Sequence, residues 1–77
     1  MNKQQRKKLS DMLDEIEGYV STLEEMSNEE QEKYDNMPEG LQDTERGQAI
    51  QDAADNLQQA ADDLQNWVDE VRGNMEL

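Results

Sequence analysis

The sequence predicts an all-α fold: an antiparallel two-helix hairpin, coiled-coil-like, that dimerises into a four-helix bundle. Three observations predict it. A heptad pattern of polar, polar, apolar, apolar, polar, polar, apolar recurs five times, as SDMLDEI (10–16), EGYVSTL (17–23), QDAADNL (51–57), QQAADDL (58–64) and QNWVDEV (65–71). The only proline, Pro38, and Gly40 lie between the two periodic halves and mark a turn. The apolar stripe is three positions wide per heptad, more than the two columns that a seam between two helices needs.

The chain reads as one domain, 1–77, with helix 1 over about 3–34, a turn over about 35–44 and helix 2 over about 45–72. Ser27 with Glu30 forms a capping-box pattern that would start a new short helix running to about Tyr34. Continuation of the heptad to Tyr34 favours one long helix instead. Asp43 or Thr44 can cap helix 2, Glu45 suits its first turn, Arg72 suits its last, and Gly73 is a natural residue just past its end. Gly18 falls at an exposed position, at a cost of about 1 kcal/mol relative to alanine, and nothing in the sequence explains it.

Folding the halves together about Gly40 pairs residues whose numbers add to a constant, expected to be 80. Leu9 then faces Val71, Leu13 faces Trp67, Ile16 faces Leu64, Val20 faces Ala60 and Leu23 faces Leu57. This leaves Met12, Tyr19 and Met26 of helix 1, with Ala54, Ala61 and Val68 of helix 2, as a column for a further interface. Trp67 is a core residue near the open end that can also anchor an interface. Small scaffolds without disulfide or metal gain most from oligomerising, so the expected first partner is a second copy.

Composition narrows function. The chain holds 20 acids and 7 bases, a net charge of −13, with no Cys and no His. Disulfides, thiolate chemistry and cysteine–zinc sites are excluded, and the usual general base is missing. Adjacent acid pairs such as Asp62–Asp63 and Asp69–Glu70 point away from each other on a helix. No calcium-loop motif occurs, and the core columns of the five heptads hold no acid. The expectation is a non-enzyme with no metal and no cofactor. Lys3, Arg6, Lys7 and Lys8 precede every acid, and from Leu9 onward three bases stand against all 20 acids. Such a chain does not bind nucleic acid phosphates or an anionic membrane; it attracts a basic protein surface. No long apolar run or apolar leader is present, which points to the cytoplasm.

The segment YDNMPEGLQDTERGQ (34–48), the opening MNKQQRKKLSDML and the final Ala–Leu heptads resemble small acidic helical proteins of Gram-positive bacteria and their phages or mobile elements. That family is uncharacterised, so the resemblance implies no catalytic residues. It implies a phage setting and favours an inhibitor. The charge fits such a role: a helix of about 27 residues spans about 40 Å, and duplex DNA of that length carries on the order of 24 phosphates, against twice −13 for a dimer. The acids expected to meet a nuclease or repressor are Asp55, Asp62, Asp63, Asp69 and Glu70 of helix 2, with Glu24, Glu25, Glu29, Glu30 and Glu32 of helix 1. The alternative is a structural or regulatory adaptor that binds a partner through the apolar stripe.

Overall fold

The computed structural model describes all residues from Met1 to Leu77. Two long helices, α1 (Lys3–Asp35) and α3 (Glu45–Met75), are joined by a single turn of helix, α2 (Glu39–Gln42). They pack side by side as an antiparallel hairpin about 59 Å long, and no strand is present.

The ends of the helices follow local chemistry. Asn2 caps α1: its side chain accepts from the Gln5 N–H, and the Gln5 side chain accepts from the Asn2 N–H, a reciprocal box that satisfies two otherwise orphaned donors. Thr44 rather than Asp43 caps α3, accepting from the Gly47 N–H. Helix α3 runs through Gly73 to Met75, and Glu76 takes the left-handed conformation that ends it. Gly73 is therefore an interior residue. Arg6 supplies the stop from across the hairpin, donating to the Met75 carbonyl at 2.8 Å and to that of Glu76 at 3.3 Å.

Helix α1 is unbroken at Ser27. The serine is buried in the seam, and its hydroxyl donates to the Ala54 carbonyl at 2.7 Å. So short a side chain reaches the facing backbone only where the helices approach closely, near the low end of the ~8–10 Å range of helix packing.

The buried residues define the register. Leu13, Val20 and Ser27 of α1 and Ala54, Ala61 and Val68 of α3 are the seam. Paired as Leu13–Val68, Val20–Ala61 and Ser27–Ala54, they add to 81 in every layer, and Arg6–Met75 and Tyr34–Gly47 continue the series. The expected constant of 80 is one too small. That single step moves Trp67 and Ala60 out of the core and brings Val68 and Ala61 in. Ala61 and Val68 are fully buried while Trp67 is 48% exposed. Side-chain size falls over the three buried layers, from Leu13 and Val68 through Val20 and Ala61 to Ser27 and Ala54, and the next layer sets Tyr34 beside Gly47 at the turn. At Gly47 a Cβ would strike the carbonyl oxygens of Leu41 and Gln42, so the turn closes directly on the start of α3.

Candidate functional site

One rotation from the seam places every other residue. In two right-handed antiparallel helices, equivalent flanks of both fall on the same side of the pair. Residues three after or four before a seam residue are Leu9, Ile16 and Leu23 in α1 and Ile50, Leu57, Leu64 and Val71 in α3, all half-buried. Residues one before it are Met12, Tyr19 and Met26, with Ala53, Ala60 and Trp67; all are exposed except Ala53, which is half-buried. All lie on one side of the hairpin and make it apolar, interrupted only near the turn by Glu30 and Arg46.

The opposite side is polar throughout. Residues four after or three before the seam include Ser10, Glu17, Glu24 and Gln31 in α1, and Gln51, Gln58, Gln65 and Arg72 in α3. Cross-helix hydrogen bonds confirm that these flanks meet. Gln51 donates to Gln31 at 2.9 Å and receives at 3.3 Å in return. Arg72 donates to Asp14 at 2.7 Å and Glu17 at 2.5 Å. Those two hydrogen bonds, Asp14 first, raise the Arg72 pKa above its already high ordinary value and keep it charged. A ladder repeats along α3: Gln51 donates to Asp55, Gln58 to Asp62 and Gln65 to Asp69, at 3.0–3.1 Å. Each glutamine holds a carboxylate outward, one every two turns, or about 10.5 Å.

The acids expected to form one binding surface are divided by this geometry. Glu24, Asp55, Asp62 and Asp69 share the polar side. Asp63 and Glu70 lie along the outer edge of α3, and Glu25, Glu29 and Glu32 along that of α1. Glu30 is on the apolar flank, half-buried and paired with Lys33 at 2.7 Å, a contact that raises the lysine's pKa. Of the residues expected at an apolar interface, Met12, Tyr19, Met26 and Trp67 are together on the open side. Ala54, Ala61 and Val68 are not: the one-step shift in register makes them the hairpin's own core. Sequence reasoning passed over Leu9, Ile16, Leu23, Ile50, Leu57, Leu64 and Val71 as interface residues because it counted them as fully used in the seam.

At the turn end of the apolar side, a cleft of about 550 Å³ is lined by Met37, Leu41 and Ile50 together with Lys33 and Arg46. Arg46 has no ion-pair partner within the hairpin. No group of three or more acids is placed to hold a metal ion, and no helix is long and apolar enough to cross a membrane.

A folded monomer of 8.9 kDa is expected to expose about 4,800 Å². This chain exposes 5,676 Å², more than a compact monomer of its mass, as its elongated 59 × 16 × 12 Å shape requires. Compared with protein-family models, curated proteins and solved structures, the chain matches none.

Proposed function

We propose that this chain is a non-enzymatic, acidic protein-binding module. Two copies join through their apolar sides into a four-helix bundle. The acids left outside engage a basic surface on a nucleic-acid-handling protein, such as a nuclease or a repressor, and block it as a DNA-like polyanion. The observation that carries this reading is the apolar side itself: a flank of half-buried Leu9, Ile16, Leu23, Ile50, Leu57, Leu64 and Val71 that one more layer of helix would cover. With that side consumed, the polar side of each copy, with its glutamine-held aspartates, becomes the exterior. The resemblance to small phage-borne acidic proteins supports an inhibitor.

A second reading is favoured by Tyr19 and Trp67, both about half exposed on the open side. Aromatic residues of this kind dominate binding hot spots, and an adaptor would use them against a different protein.

Light scattering at low and high salt, followed by titration with basic nucleases, separates the readings. A dimer at both salts, with nuclease binding that weakens as salt rises, is the expected result. A stable monomer whose partner binding is lost in Trp67→Ala but kept after charge reversal of Asp55, Asp62 and Asp69 would establish the adaptor instead.

A further inference from the structure

Two hairpins can cover each other's apolar sides about a two-fold axis in two ways. With the axis along the helices, both turns lie at one end and α1 covers α3 of the partner copy. With the axis across the helices, the turns lie at opposite ends, α1 covers α1 and α3 covers α3. We infer that the second arrangement is the one formed, with Ala60 near the axis and Trp67 of each copy seated on Ala53 of the other. This rests on the dimer reading above and goes beyond it by fixing orientation and register.

Charge is the first argument. Between Val20 and Ala61, the turn half, there are eleven acids against two bases, a net −9. The open half has nine acids against five bases, a net −4. Turns at the same end would stack −9 on −9 and set Lys33 of one copy over Arg46 of the other. Turns at opposite ends set −9 against −4 and bring the unpaired Arg46 level with Asn74 of the partner copy, away from that copy's own Lys33 and Arg46. Charges of one sign placed face to face are the element that excludes a wrong arrangement.

Packing is the second argument. The column Ala53, Ala60, Trp67 is spaced by sevens. Reversed on itself about Ala60, it puts the largest side chain on a small one twice and alanine on alanine at the axis, so α3 and its copy interdigitate. The same centre sets Tyr19 against Leu23 and Ile16 against Met26 of the partner copy. Every one of these residues is exposed or half-buried on the open side. The side is about 59 Å long and 16 Å wide between backbone extents, of the order of the ~800 Å² per partner in a standard interface.

The chain has no cysteine, which makes the test direct. Ala60→Cys, at an exposed position, is oxidised at low micromolar concentration and read as covalent dimer. In parallel, a chain carrying Ala53→Cys with a short-range nitroxide quencher and Trp67→Phe is mixed with the unmodified protein, and Trp67 emission is followed. The labelled chain has no Trp of its own, and turns at the same end would leave positions 53 and 67 of the two copies about 21 Å apart along the axis at ~1.5 Å per residue, so strong quenching requires turns at opposite ends. The expected result is efficient self-cross-linking of the single-cysteine variant, and at least twofold loss of emission in the mixed dimer. A dimer by mass that shows neither, but cross-links when Tyr19→Cys is mixed with Ala60→Cys, would overturn this arrangement and leave the dimer standing. A monomer by mass across the same concentrations would overturn both.

Discussion

Gly47→Ala and Gly18→Ala are the same chemical change in two long helices, and the structure requires opposite outcomes. In a helix interior, alanine in place of glycine is worth about 1 kcal/mol through backbone entropy. At Gly18 nothing lies within 4 Å of an added Cβ, so the gain is kept: about 0.5–1 kcal/mol, a rise in Tm of roughly 2–8 °C for a domain of this size. At Gly47 the added Cβ would lie 2.5 Å from the Leu41 carbonyl oxygen and closer still to that of Gln42. Both are backbone atoms, so relief means displacing α2 or the first turn of α3, at about 1–3 kcal/mol. The same shift strains the Thr44 cap on the Gly47 N–H. Set against a propensity gain reduced in the first turn, the net is a loss of about 1–2 kcal/mol, or roughly 4–16 °C. Thermal unfolding followed by circular dichroism at one fixed protein concentration reads both, since Tm depends on concentration in any associating system. Gly47→Ala melting at or above the parent temperature would refute the close approach of the turn to α3.

Other perturbations follow from the seam. Ser27→Ala removes the 2.7 Å bond to Ala54 and should cost about 0.5–1.5 kcal/mol in chemical denaturation, whereas a solvent-facing serine would cost nothing measurable. Leu13→Ala empties one of the two largest buried positions, at about 2–5 kcal/mol; with so few fully buried residues, a marked loss of helicity at 25 °C is expected. Arg72→Gln releases Asp14 and Glu17 at the open end. It should lower Tm, more at low salt than at 0.5 M salt, because exposed ion pairs are screened.

The heptads revealed two helices, their direction and their turn because the apolar period recurs without interruption on both sides of Pro38. The register was harder to read. In α3 the adjacent columns hold Ala53–Ala54 and Ala60–Ala61, which are indistinguishable by size, and Trp67–Val68 then suggests that the larger residue is inside. Both columns have an apolar flank in Leu57, Leu64 and Val71, and the missing signal was the chemistry of the polar flank: Gln51, Gln58 and Gln65 beside Ala54, Ala61 and Val68, but Asn56, Asp63 and Glu70 beside Ala53, Ala60 and Trp67, where uncharged amides are cheaper to half-bury than carboxylates. Ser27 left two readings, since a polar residue in a core column also reads as a cap; the heptad rightly favoured the unbroken helix, but not the bond its hydroxyl makes to the facing Ala54 carbonyl. The open apolar side was legible in Met12, Tyr19 and Met26, whose column could not reach the seam in either register. The division of the acids among several faces was not legible, because it depends on a rotation that only the correct seam fixes.

The constant register also dictates an order of assembly. The Tyr34–Gly47 layer closes the shortest loop, the Ser27–Ala54 bond spans 27 residues, and the Arg6–Met75 bond spans 69. Closing the last of these first would demand the largest loss of chain entropy for the least contact. Closing it last demands almost none, since every inner layer already holds the ends near each other. The hairpin is therefore built to zip outward from Pro38, with its largest core residues, Leu13 and Val68, joining late. Amide protons beside the turn should then gain protection early in refolding, and those around Arg6 and Met75 should be the last to gain it and the first to lose it.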